Sequence, residues 1–170
     1  SDTIVEPYFT FYGFQYVKIT GWVGDLNLND FTGCVVYSQM DIIGEIETSN
    51  EKVNRLFKIA LWGQNGNFLD IPPSLRVGDE RLGWTGDIQV FTGTSCFNMD
   101  TAAFFSKYAY DLAQEQSKCD GAVPFIVPMA NLDKAGSSAW GDVATILPWT
   151  VYEFFGDTAI LEQQFESMRA

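Results

Sequence analysis

Between Asp79 and Asp87 the chain reads Asp-Glu-Arg-Leu-Gly-Trp-Thr-Gly-Asp. Three carboxylates (Asp79, Glu80, Asp87), a guanidinium (Arg81), an indole (Trp84) and two glycines share this short run. No hydrophobic period passes through it, so core packing does not account for it. Acids held this close repel one another, and an apolar ring beside them favours the neutral form. Both effects push their pKa values apart. Such a pair suits glycoside hydrolysis, in which one carboxyl protonates the leaving oxygen and another activates water or attacks. A helix N-terminus, which also favours acidic residues, explains the composition equally well.

The rest of the composition narrows the chemistry. Histidine is absent from all 170 residues. That removes Ser-His-Asp and Cys-His nucleophiles and argues against a transition-metal site, so no metal and no cofactor is expected. Cys34, Cys96 and Cys119 are odd in number and far apart. They read as three buried or partly buried free thiols and not as a disulfide framework. The net charge of −12 disfavours a nucleic-acid partner and an anionic membrane surface. No apolar run is long enough for a transmembrane helix. The chain lacks an initiator methionine and opens as if inside a domain, so it reads as a piece of a longer protein.

Two kinds of element must position these residues. Phe9 to Thr20, Cys34 to Ser38 and Ile42 to Glu47 are rich in aromatic and β-branched residues and predict strands. At Thr48-Ser49-Asn50-Glu51 the pattern switches to helical, with Ser49 or Asn50 as N-cap. That first helix runs to about residues 63–67. Pro72 and Pro73 open a long loop that ends at the acidic run. Further helices are predicted over 86–97, from Asp100 onward, over 142–155 with a kink at Pro148, and from Asp157 to the chain end. Phe104, Phe105 and Tyr108 read as core. Strands first and helices afterwards imply two packing units joined near residue 48.

The run 79–87 resembles the signature of the bacterial α-L-rhamnosidases of the (α/α)6-barrel type. The likeness continues on both sides. Upstream it includes Tyr12-Gly13-Phe14-Gln15-Tyr16-Val17 and Trp62-Gly63-Gln64-Asn65-Gly66-Asn67-Phe68-Leu69. Downstream it includes Phe97-Asn98-Met99-Asp100, Asp120-Gly121-Ala122-Val123-Pro124, Ala139-Trp140-Gly141-Asp142 and Pro148-Trp149-Thr150-Val151-Tyr152-Glu153. The resemblance implies an α+β chain: residues 1–47 as the last strands of a β-sandwich domain, and 48–170 as the first part of an (α/α)6 catalytic barrel. One departure stands out. Ser74 occupies the place where the family usually has its first acidic residue, and a serine cannot offer a charged acceptor to a sugar hydroxyl.

By the same resemblance Glu80 is the general acid. Asp87 acts with it, tuning the acid or holding sugar hydroxyls, and Asp79 and Arg81 belong to the binding cluster. The mechanism implied is inverting, with a general base that no residue of this chain supplies by motif. Trp84 and Trp140 are candidate walls of a sugar pocket, and Asp142 a candidate ligand at the end of a long loop. Each has a plain alternative: a surface ion pair for Glu80, helix caps for Asp87 and Asp142, a structural salt bridge for Arg81, core packing for the tryptophans. The expected partner is an L-rhamnose-containing glycoside. An open helical face would expose apolar surface and invite self-association into a homo-oligomer. The expected compartment is the cytoplasm, with secretion of the parent protein left open. The rival readings are a non-catalytic sugar-binding or scaffold member of the same fold, and an (α/α)6 glycosidase of other sugar preference.

Overall fold

The computed structural model describes residues 4–72, 82–130 and 135–170. Among them are five α-helices: α1 (Glu51–Asn67), α2 (Thr85–Asn98), α3 (Ala102–Lys118), α4 (Val143–Phe155) and α5 (Thr158–Arg169). Their ends follow local chemistry. Asn50 caps α1 by accepting the Lys52 N–H at 3.0 Å, and Asn54 and Thr48 close the entry turn with a reciprocal pair of 2.8 Å bonds. Gly156 ends α4 at φ 68°, a conformation glycine adopts without a Cβ penalty. Asp157 then caps α5 on the Ala159 N–H at 2.9 Å. Pro148 stands inside α4, and the helix runs through it.

α4 is the hub. It packs on α2, α3 and α5, and α3 also meets α5. Phe105, Tyr108, Ala109 and Leu112 on α3 share one face at helical spacing and are all buried. Leu147 and Val151 on α4, Ile88 and Cys96 on α2 and Ile160 on α5 complete the core, with Phe68 at the end of α1. Phe68 stacks on Phe104 with centroids 4.7 Å apart and meets Phe105 edge-on at 5.9 Å. A buried polar bridge ties α1 to α2: Asn98 donates to Gln64 Oε1 at 2.9 Å, and Gln64 donates to the Ser95 carbonyl at 3.3 Å. The rest of α1 is thinly covered. Leu56 and Trp62 remain 65% and 63% exposed. Ile146, Trp149 and Phe165 likewise leave an apolar face on α4 and α5.

The predicted strands are not formed. Residues 4–47 contain one 3-10 turn, Leu28–Asp30, and otherwise run without a ladder. A strand exists only through its pairing, and no described segment pairs with this one beyond a single bridge between Ile42 and Met99. Tyr16 and Val17, neighbours that would point to opposite faces of a strand, are both exposed. The part nearest α1 is fixed differently, by docking on the helical unit. Ile43 and Gly44 both donate to the Asn98 carbonyl, at 3.0 and 3.2 Å, and Asp100 donates to the Asp41 carbonyl at 2.9 Å. The thiols also depart from expectation. Cys96 is buried and Cys119 half-buried, but Cys34 is exposed, because it lies in this unpaired segment.

Candidate active site

The N-terminus of α2 is built by two chain segments that run side by side. Val127 donates to the Gly83 carbonyl at 2.8 Å, and Thr85 donates to the Phe125 carbonyl at 3.0 Å. Trp84 and Ile126 form the bridge between these bonds. The buried Thr85 hydroxyl lies 3.0 Å from the carbonyls of both Pro124 and Phe125. A Cβ at Gly83 would run into the Val127 carbonyl oxygen, so the close pairing depends on glycine there. The next glycine serves the ring opposite. A Cβ at Gly86 would stand 3.1 Å from three atoms of the Trp140 indole. Trp140 therefore lies against the first turn of α2, and it meets Phe125 edge-on with ring centroids 5.5 Å apart.

This arrangement brings together some of the predicted site residues. Trp84 occupies the N-cap position of α2 and is half-buried. Asp87 falls in the first turn and is exposed. It is not the N-cap, since Trp84 holds that position. Asp87 and Trp140 both line a groove of about 1340 Å³ that runs between α1, the start of α2 and the segments 11–15 and 33–36. A carboxylate acceptor beside an aromatic face is what a sugar ring needs: the charge takes hydroxyls, and the ring takes the C–H face.

Asp142 sits apart from that groove. Its carboxylate accepts the Ala139 N–H at 3.2 Å, closing a turn in which Ala139 adopts φ 69°. It occupies the N-cap position of α4 without making a side-chain cap bond. Asp79, Glu80 and Arg81, together with Ser74, lie outside the described residues. Asp70, four residues before Ser74, is engaged in an ion pair. Lys107 reaches its carboxylate at 3.1 Å and that of Asp111 at 2.8 Å. Desolvation lowers the Lys107 pKa, but the hydrogen bonds and charges of Asp111 and Asp70 outweigh it and raise the group above its ordinary value. Among the described residues, no three His, Cys, Asp or Glu side chains gather as a metal would need.

Several lining residues enter the sequence reading only as part of the family likeness, with no role at a site. Trp62, Asn65 and the two α1 glycines, Gly63 and Gly66, face the groove. The signal that could have found them is the pair of glycines inside a helical period, where glycine is otherwise unfavourable.

Comparison with known proteins supplies the family. The family model of the bacterial alpha-L-rhamnosidase 6 hairpin glycosidase domain matches residues 41–170. That of the bacterial alpha-L-rhamnosidase concanavalin-like domain matches residues 1–37. An alpha-L-rhamnosidase of Alteromonas sp. is 42% identical over 99% of this chain and 19% of its own length. The structure of Streptomyces avermitilis alpha-L-rhamnosidase complexed with L-rhamnose superposes with a TM-score of 0.74 at 37% identity, over 77% of this chain and 13% of that one. The alpha-L-rhamnosidase from Dictyoglumus thermophilum gives a TM-score of 0.80 at 32% identity, over 85% and 16%. The chain thus spans less than a fifth of the length of the curated relatives it matches. With most of its length matched by one domain model, the chain belongs to the six-hairpin glycosidase family of bacterial α-L-rhamnosidases.

Proposed function

We propose that the whole protein releases terminal L-rhamnose from α-L-rhamnosides by an inverting acid/base reaction. Glu80 protonates the glycosidic oxygen as the bond to the sugar breaks, and a base outside the assigned residues activates the attacking water. Asp87 and Asp79 accept sugar hydroxyls, Arg81 balances the acidic cluster, and Trp84 and Trp140 form its apolar walls. The observation that carries this reading is the meeting of Asp87 and Trp140 at one groove in a chain of this family. The division into a sandwich end over 1–47 and a barrel beginning over 48–170 goes with it, supported by the concanavalin-like match over residues 1–37.

Ser74 favours a second reading, in which the fold is kept for sugar binding or as a scaffold and catalysis is lost. Glu80→Gln in the whole protein separates the two. It keeps the shape and removes the proton, so kcat on an alkyl rhamnoside should fall by about 10²–10⁴-fold, and far less on a 4-nitrophenyl rhamnoside. An equal, small loss on both substrates would make Glu80 a surface ion-pair residue. No turnover by the unmodified protein would favour the scaffold.

A further inference from the structure

Just past the end of α1 the chain makes a bend that its side chains do not favour. The Ile71 N–H donates to the Leu69 carbonyl, two residues back, at 2.7 Å, and Asp70 between them stands at φ 65°. A bond of this span closed at positive φ is a γ-turn of the strained kind. Asp70 lacks the freedom that glycine has there. Such a conformation persists only where the surroundings hold it, and strain held in this way gathers at functional sites.

The bend is held from two sides. The Asp70 N–H donates to Ser38 Oγ at 2.8 Å, and the Ser38 N–H donates to the Phe68 carbonyl at 2.8 Å. From α3, the Lys107 ammonium donates to the Asp70 carboxylate at 3.1 Å and to the Asp70 carbonyl at 3.3 Å. Asp111, one turn along α3, steadies that ammonium at 2.8 Å. Phe104, one turn the other way, stacks on Phe68, so α3 grips the chain at Phe68 and again at Asp70. An exposed ion pair contributes little to stability by itself. What this one fixes is direction. Ile71 leaves the bend half-buried against the core, with its Cδ1 3.5 Å from where a Cβ on Gly83 would stand. Residues that flank the run 73–81 on either side thus meet. Glu80 belongs to that run, three residues before Gly83.

We propose that Lys107 is a positioning residue for the general acid: by holding the strained turn at Asp70 it sets Ile71 against Gly83, and so fixes where the run bearing Glu80 enters and leaves. The inference rests on the rhamnosidase reading of Glu80. Lys107 is not among the residues that line the groove, so it acts through Asp70 and not on the sugar. Without the ammonium the turn is free to relax to negative φ, and Ile71 moves off Gly83. The proton donor then loses its place. Asp87 and Trp140 keep theirs, because the pairing of Thr85 with Phe125 holds the first turn of α2 independently. Sugar binding and proton transfer are thereby separable.

Steady-state kinetics on the whole protein test it, with methyl α-L-rhamnoside and 4-nitrophenyl α-L-rhamnoside as substrates. Lys107→Met keeps a long apolar stem and removes the charge. Its kcat on the methyl glycoside should fall about tenfold or more, since a small misplacement of a reacting group is costly. On the nitrophenyl glycoside, whose leaving group needs little protonation, kcat should fall less than about twofold. KM should hold on both. Asp70→Asn suits the same positive φ and should show the same split more weakly. The double variant should lose no more than Lys107→Met alone. Equal losses on the two substrates, a change in KM alone, or additive losses in the double variant overturn the proposal and leave a structural ion pair. Glu80→Gln run alongside separates this role from the reading beneath it. A selective loss there with none in Lys107→Met overturns the positioning role alone. No selective loss in either, or no turnover by the unmodified protein, removes the general acid and the proposal with it.

Discussion

Gly83→Ala is the sharpest test of how the start of α2 is held. The added methyl would overlap the Val127 carbonyl oxygen, which is backbone and cannot rotate away. The two segments must separate. Overpacking of this kind costs about 1–3 kcal/mol. Separation also strains the bonds from Val127 to Gly83 and from Thr85 to Phe125, each worth about 0.5–1.5 kcal/mol. A loss of about 2–4 kcal/mol follows. For a chain of this size, 3 kcal/mol corresponds to a Tm lower by about 6–12 °C. The same substitution at Gly93, where the Cβ meets nothing within 4 Å, should stabilise by about 0.5–1 kcal/mol through helix propensity alone. Urea denaturation followed by circular dichroism gives both numbers. Gly83→Ala within about 0.5 kcal/mol of the unmodified chain would refute the paired-segment account.

Burial, ahead of weaker hydrogen-bond effects from Thr101 and Ser95, pushes the Cys96 thiol from 9.0 up to about 11. The folded state therefore keeps this proton while the unfolded state releases it. Its stability contribution is complete below pH 9 and should decline by up to about 3 kcal/mol as pH rises towards 11. Stability curves of Cys96→Ala should lack that step. Tyr108 is fully buried, its hydroxyl has no partner, and burial raises its pKa strongly. Tyr108→Phe should leave stability unchanged or raise it by about 1–3 kcal/mol in a thermal melt; a clear loss would mean that the hydroxyl is satisfied. Asp142→Asn keeps an acceptor for the Ala139 N–H. Calorimetry should find L-rhamnose affinity unaltered, and a loss of about tenfold or more would move Asp142 into the binding site.

The helices were legible because their signals are local. Asn50, Gly156 and Asp157 are caps whose chemistry acts within one turn, and α1 and α4 begin and end close to where those residues predict. The strands over 9–20, 34–38 and 42–47 were not recovered, since β-propensity names residues that suit a sheet and a sheet needs a neighbour. The sequence allows Asp87 as a cap, but the backbone pairing of Gly83 and Thr85 with Val127 and Phe125 sets the helix start back at Trp84. That pairing spans about 40 residues of sequence, and no periodicity reveals it. The proximity of Trp140 to Gly86 is legible only in three dimensions for the same reason.

The docking of residues 41–44 has a mechanical meaning. α2 is a rod of 14 residues, about 21 Å long. At one end its last turn is gripped by Ile43 and Gly44, where even a methyl on Gly44 would strike the Phe97 carbonyl. At the other end it carries Trp84 and Asp87. A helix hardly bends over three or four turns, so the grip on the last turn and the pairing of Gly83 and Thr85 at the first together fix where Asp87 stands. The segment leading into α1 and the carboxylate at the groove are thus held in register by one rigid element.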